Sequence, residues 1–141
     1  MINLAALNIG FTGTQYGPNY KQQEELKKII TAGKTFHHGD CVGADEYAAH
    51  IAIDKGIWTI GHIPDNPKKR AFVNNDEERE PKPYLNRNKD IVDETDVLVA
   101  TPQTQKEITR SGTWHTIRNA LKQNKHVIII YPDGSVKEFN K

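Results

Sequence analysis

Three short stretches of this chain combine residue types that hold anions. The first, Gly39-Asp40-Cys41-Val42-Gly43-Ala44-Asp45, leads from an apolar run into a helix-forming one. Its glycines permit a tight turn and a close approach of backbone to ligand. The helix start that follows leaves unpaired N–H groups and a partial positive charge. Thr12-Gly13-Thr14 and Ser111-Gly112-Thr113 have the same make-up, the latter preceded by Thr101-Pro102 and Arg110. A glycine- or hydroxyl-bearing turn feeding a helix is a cradle for phosphate. Asp45 adds an acceptor suited to ribose hydroxyls, and Arg87 a planar fork that matches two oxyanion oxygens. The candidate ligand-binding set is therefore Thr12, Gly13, Thr14, Gly39, Asp40, Gly43, Ala44, Asp45, Arg87, Thr101, Pro102, Arg110, Ser111, Gly112 and Thr113. Ordinary turn and cap chemistry uses the same Gly, Ser and Thr residues. What argues for a ligand is three such loops meeting at one place.

Other reactive side chains point less far. His37 and His38 are adjacent on a strand end, so they face opposite sides and do not share an ion; neither a metal site nor a bound cofactor is expected. Cys41 as a nucleophile requires a lowered pKa and a base, for which His38 stands nearest; a small buried residue is the simpler reading. Tyr16, beside a glycine loop, has the ring to stack on a base. Trp58, Trp114 and Tyr47 are expected in the core.

The elements that must position these residues follow from apolar periodicity and punctuation. Residues 7–12, 34–38, 57–63, 97–100 and 126–131 read as short buried strands, with helices over 19–32, 44–55, 84–94 and from 111 onward. Residues 136–139 add a short edge strand. The segment 65–83 is charged, rich in proline and asparagine and without periodicity, which predicts a mobile lid. Strands alternating with helices predict an α/β fold, a Rossmann-like parallel sheet of about five main strands with helices on both faces. Its ligand belongs at the carboxyl edge, where the strand order reverses.

The 141 residues predict a single domain, residues 1–141. A net charge of +1 leaves no basic stripe, which argues against nucleic acid as partner. One cysteine excludes an intrachain disulfide, and with neither a secretory start nor a long apolar run the chain is expected in the cytoplasm, away from membranes.

Gly39-Asp40-Cys41-Val42-Gly43-Ala44-Asp45-Glu46-Tyr47-Ala48 resembles the glycine-rich signature of the SLOG superfamily. Arg87-Asn88, Ile91-Val92, Thr95 to Ala100 and Ser111-Gly112-Thr113 resemble its second segment, in the same order. The superfamily includes the lonely-guy phosphoribohydrolases and the DNA-processing protein A family. The resemblance implies a Rossmann-like fold, a nucleotide-derived small molecule as partner, and relatives that often pair through helices as homo-oligomers. In the lonely-guy enzymes an arginine and a glutamate act on the N-glycosidic bond. Arg87 matches the arginine, but Trp114-His115-Thr116 stands where the glutamate belongs. This departure favours a sensor or sequestering protein over catalysis. The alternative, an N-glycosidic hydrolase or transferase, would pair Arg87 with Asp40, Asp45 or Glu46 as the acid.

Overall fold

The computed structural model describes residues 1–140. The strands are β1 (Asn8–Gly13), β2 (Thr35–His38), β3 (Trp58–Pro64), β4 (Glu77–Lys82), β5 (Val97–Thr101), β6 (His126–Ile130) and β7 (Val136–Phe139). The helices are α1 (Tyr20–Ile29), α2 (Ala44–Asp54), α3 (Tyr84–Asp93) and α4 (Gly112–Lys122). All seven strands form one sheet in the order β4-β3-β2-β1-β5-β6-β7. Every pairing is parallel except β6 with β7. This is the Rossmann-like α/β architecture expected from the alternation of elements, with seven strands in place of five.

Strand alternation sorts the core into two layers. Ile9, Phe11, Phe36, Val97, Val99, Ile128 and Ile130 share one cluster with Leu26 and Ile29 of α1 and Ala48 and Ala52 of α2. Leu98, Ala100, Val127 and Ile129 point the other way, onto Val92 of α3 and Trp114, Ile117 and Ala120 of α4. The helix that follows each loop therefore packs directly on the sheet, and its first turn is held at the strand ends.

Local chemistry sets the helix limits. Asn19 and Gln22 form a reciprocal capping box at the start of α1. The buried Gln22 amide then donates to the carbonyls of Pro102 and Ile130, at 2.8 and 2.9 Å. One side chain thus ties α1 to the ends of β5 and β6. α1 stops at Ile29, short of residue 32. Gly33 does not cap it but lies against β1, where a Cβ would sit 2.6 Å from Ile9 Cδ1.

The largest departure from expectation is segment 65–83. It is built around a 3-10 turn at Pro67–Lys69 and the edge strand β4, parallel to β3. Glu-Glu-Arg-Glu-Pro-Lys offers no apolar alternation, because an outermost strand exposed on both faces buries nothing. The chain before it is hydrogen-bonded to the loop after β2. Val42 N–H donates to the Lys69 carbonyl at 2.9 Å, Ala71 N–H to the Asp40 carbonyl at 2.8 Å, and Cys41 bridges Arg70. Trp58 also departs from expectation: it is 49% exposed, its indole N–H donating to Glu77 Oε2 on β4.

Candidate ligand-binding crevice

The chain leaves β1 leftward to β2 and returns to β5 on the other side, so the strand order reverses between β1 and β5. At the carboxyl ends of these strands lies a crevice of about 560 Å³. Its walls include Thr12 to Tyr16 after β1, Gly39 and Cys41 after β2, Asp65, Asn66 and Lys69 after β3, Gln103 and Thr104 after β5, Tyr84 and Arg87 of α3, and the start of α4. The expected convergence of loops at one sheet edge is present.

Of the residues singled out in the sequence, Thr12, Gly13, Thr14, Gly39, Asp45, Arg87, Arg110, Ser111, Gly112 and Thr113 line this crevice. Asp40, Gly43, Ala44, Glu46, Thr101 and Pro102 do not. The middle loop explains the split, because its amides are turned inward onto protein. Asp40 N–H donates to His38 Nδ1 at 3.0 Å and Cys41 N–H to Asp45 Oδ2 at 3.3 Å. Ala44 N–H, at the head of α2, donates to the Thr14 carbonyl at 2.9 Å, and Glu46 N–H to Cys41 O at 3.2 Å. Gly43, at φ +94, makes the reversal that brings α2 against residues 14–15; a Cβ there would overlap the Gln15 backbone. This loop is a support, and the amides left unpaired lie on either side of it. Among the described residues, the amides of Thr14, Gln15 and Tyr16 after β1, and of Gly112 and Thr113 in the first turn of α4, have no protein acceptor. Ser111 caps α4, accepting from Trp114 N–H at 3.2 Å.

Asp40 is fully buried at φ +53, and its carboxylate holds the chain after β3. It accepts from Arg70 Nε at 2.6 Å and Val73 N–H at 2.9 Å. Arg87 is 3% exposed. Its Nη1 donates to the carbonyls of Gly39 and His62, at 2.5 and 3.3 Å, and its Nε to Asn88 Oδ1 at 2.8 Å. Nη2 is left with only Cys41 Sγ at 3.7 Å, and the guanidinium lies over the Tyr84 ring, 5.1 Å from its centroid. Arg87 thus organises the crevice floor while presenting one edge to it.

Electrostatics narrow the chemistry further. Burial pushes the Asp45 carboxyl up, partly opposed by Arg87 and His38. Burial, with Asp45 beside it, also pushes the Cys41 thiol up, so it is not an activated nucleophile. His38 does not serve it as a base: Nδ1 accepts from Asp40, and Nε2 bonds Asn75 Oδ1 at 2.6 Å. Arg87, Arg110 and Lys69 give the crevice its positive side, Asp45 and Asp65 its negative one. Lys69, Asp65 and Asn66 fall outside the sequence-derived residue set, because a segment without periodicity gives no hint of which residues turn inward. Tyr84 and Gln103 escaped it too, since nothing local distinguishes a lining residue there from a surface one. Thr101 Oγ1, behind Gly13, is the one buried side-chain polar atom without a partner among the described residues. A second, more open groove of about 460 Å³ runs between α3 and α4, away from the strand ends. Of its four cations, Lys82, Lys89 and Arg118 are already paired with Asp90, Asp93 and Glu107.

On the opposite face of β2 from His38, His37 meets His62 of β3, Nδ1 to Nε2 at 2.9 Å. Burial holds His37 down to about 4 and His62 to about 3. Both values lie below the ordinary 6.5, so the unfolded chain binds more protons across that interval. Stability is fully present above pH 6.5 and is lost as pH falls toward 4 and then 3. Unfolding in urea, with chelator present, should show a loss on the order of 4 kcal/mol between pH 6.5 and 4.5, about half from each histidine. His62→Gln should flatten that slope; an unchanged slope would remove the pair from the account.

No family model matches the sequence, and no curated protein matches it closely. The fold itself is shared with solved proteins, each under 25% identical in sequence. The molybdenum cofactor binding protein from Rippkaea orientalis superposes with a TM-score of 0.69 at 21% identity, over 93% of this chain and 78% of that one. The molybdenum cofactor carrier protein from Chlamydomonas reinhardtii gives 0.58 at 22% identity, over 90% and 76%. DNA processing protein A from Streptococcus pneumoniae gives 0.63 at 17% identity; 86% of this chain covers 49% of that longer one.

Proposed function

We propose that this protein binds a phosphate-bearing, nucleotide-derived small molecule in the crevice at the carboxyl edge of β1 and β5 and holds it without chemical change. The observation that carries this reading is the pair of amide groups without protein acceptors, at residues 14–16 and 112–113, on opposite walls of one cavity. Amides at a helix start favour an anion between them. Arg110 and Lys69 supply mobile countercharge, Arg87 a fixed one, and Tyr16 and Tyr84 two rings at the rim. Likeness to two molybdenum cofactor proteins supports a compact cofactor-like ligand as one of the first to try, beside nucleotides.

Glycosidic hydrolysis is the competing reading. Asp45 is the one of its three acids that lines the crevice; Glu46 lies outside it, and Asp40 is bonded to Arg70. The protein should be incubated with ATP, ADP-ribose, cyclic dinucleotides and molybdenum cofactor, then heat-denatured and the released material weighed by mass spectrometry. Intact ligand supports holding; free base with ribose phosphate establishes hydrolysis instead. Arg110→Ala should weaken binding of the retained ligand about tenfold, the worth of one charge-assisted hydrogen bond. Unchanged affinity would remove Arg110 from the site.

A further inference from the structure

We propose that His37, His62 and Glu94 form a binding site for a divalent transition-metal ion of the zinc type, clamping the end of α3 to β2 and β3. The three ligand atoms lie within 4.8 Å of one another. His37 Nδ1 is 2.9 Å from His62 Nε2 and 3.9 Å from Glu94 Oε1. Zinc–ligand bonds are about 2.0–2.2 Å long, so two ligand atoms around a tetrahedral ion stand about 3.3–3.6 Å apart. Shifts of about 0.5–1 Å, opening the His37–His62 pair and drawing in the Glu94 side chain at the surface, close the set. Two imidazoles and a carboxylate are a borderline donor set that suits zinc, with a fourth position left to water.

The ring orientation is already that of a ligand. Thr35 Oγ1 donates to Asn8 Oδ1 at 2.7 Å, so it accepts from His37 Nε2–H, at 3.0 Å. That fixes the proton on Nε2 and leaves the Nδ1 lone pair aimed at His62. A histidine whose far nitrogen is held by an outer hydrogen bond is the usual arrangement at metal sites. In the metal-free protein the lone pair is met by His62 Nε2–H. An ion takes the place of that hydrogen bond once His62 moves its proton to Nδ1, a tautomer change with no net charge transfer.

Glu94 is the C-cap of α3, where the helix dipole favours a cation. A cation is indeed present there. Arg79 donates to Glu94 Oε1 from Nε at 3.0 Å and from Nη2 at 2.8 Å. Arg79 is the ion's competitor for Glu94, and it stands opposite His62 in register, where its charge also opposes a cation between the two imidazoles. His37 and His38 were expected to exclude a metal because they face opposite ways. The second imidazole comes from the next strand instead, since His37 stands beside Ile60 in register, two residues before His62.

The test is titration of chelator-treated protein with zinc chloride alone, by calorimetry, and with cobalt chloride, followed by visible absorption. One ion per chain is expected, with the intense visible band of four-coordinate cobalt. A hundredfold excess of zinc over its Kd should raise Tm by at least about 5 °C. Glu94→Gln, at an exposed position that leaves the fold intact, should weaken zinc binding at least tenfold. Thr35→Val keeps all three ligands and should still cost about 10-fold to 100-fold by releasing His37. Arg79→Ala should strengthen binding. Three results would overturn the site: no saturable binding, equal affinity in Glu94→Gln and the parent, or loss on Cys41→Ser with Glu94→Gln unaffected.

Discussion

Arg87→Ala should lower stability by about 3–5 kcal/mol and reduce ligand binding below detection, the largest single-residue effect expected in this protein. The guanidinium is buried, and truncation strands every group it serves. The carbonyls of Gly39 and His62 lose their Nη1 donor, and Asn88 Oδ1 loses Nε. A buried acceptor left unpaired costs about 1–3 kcal/mol. Asp45, whose carboxyl Arg87 helps to keep ionised, is left in an apolar site and protonates more readily. Arg87→Lys separates charge from shape. Its single ammonium does not span Gly39, His62 and Asn88, so most of the stability loss should remain. Urea unfolding reads the first effect, calorimetry with the retained ligand the second. A loss under about 1 kcal/mol for Arg87→Ala would mean that the surrounding carbonyls find water, and that Arg87 does not hold the floor.

Asp40→Ala should cost a comparable amount, about 3–5 kcal/mol, and should loosen residues 65–76 selectively. Three losses add. Arg70 gives up its bond to a fully buried carboxylate, and Val73 N–H gives up its acceptor. Alanine must then adopt φ near +53, which aspartate and asparagine tolerate better. Asp40→Asn keeps shape and backbone preference while losing charge, so it should fall between parent and alanine. Hydrogen exchange gives the regional reading: amides of Ala71 and Val73 should exchange faster in Asp40→Ala, while those of β5 and β6 should keep their protection. Uniform loss of protection would show that the segment is not separately fastened.

These two residues also mark how far the sequence could be read. The parallel sheet was legible because Val97 to Ala100 and Val127 to Ile130 are apolar on both faces, and helix starts stood out at Asn19 and Ser111. β4 was not legible, since an edge strand exposed on both faces leaves no alternation to see. The convergence of loops was legible in the positions of glycines and hydroxyls. Which donors face the crevice was not, because that depends on tertiary acceptors: residues 40, 41, 42 and 44 give their amides to His38, Asp45, Lys69 and Thr14. Asp40 and Arg87 read from the sequence as ligand contacts, and their part as supports came into view only with their buried partners. The His37–His62 meeting depends on strand register, which adjacency in the chain does not reveal.

β4 has a consequence for how copies of this chain can associate. Five of its six residues are charged and the sixth is Pro81, which has no N–H to offer a neighbouring strand. That border of the sheet repels a further strand instead of templating one, so ribbons cannot grow from it. Self-association is left to the β7 border and the helical flanks.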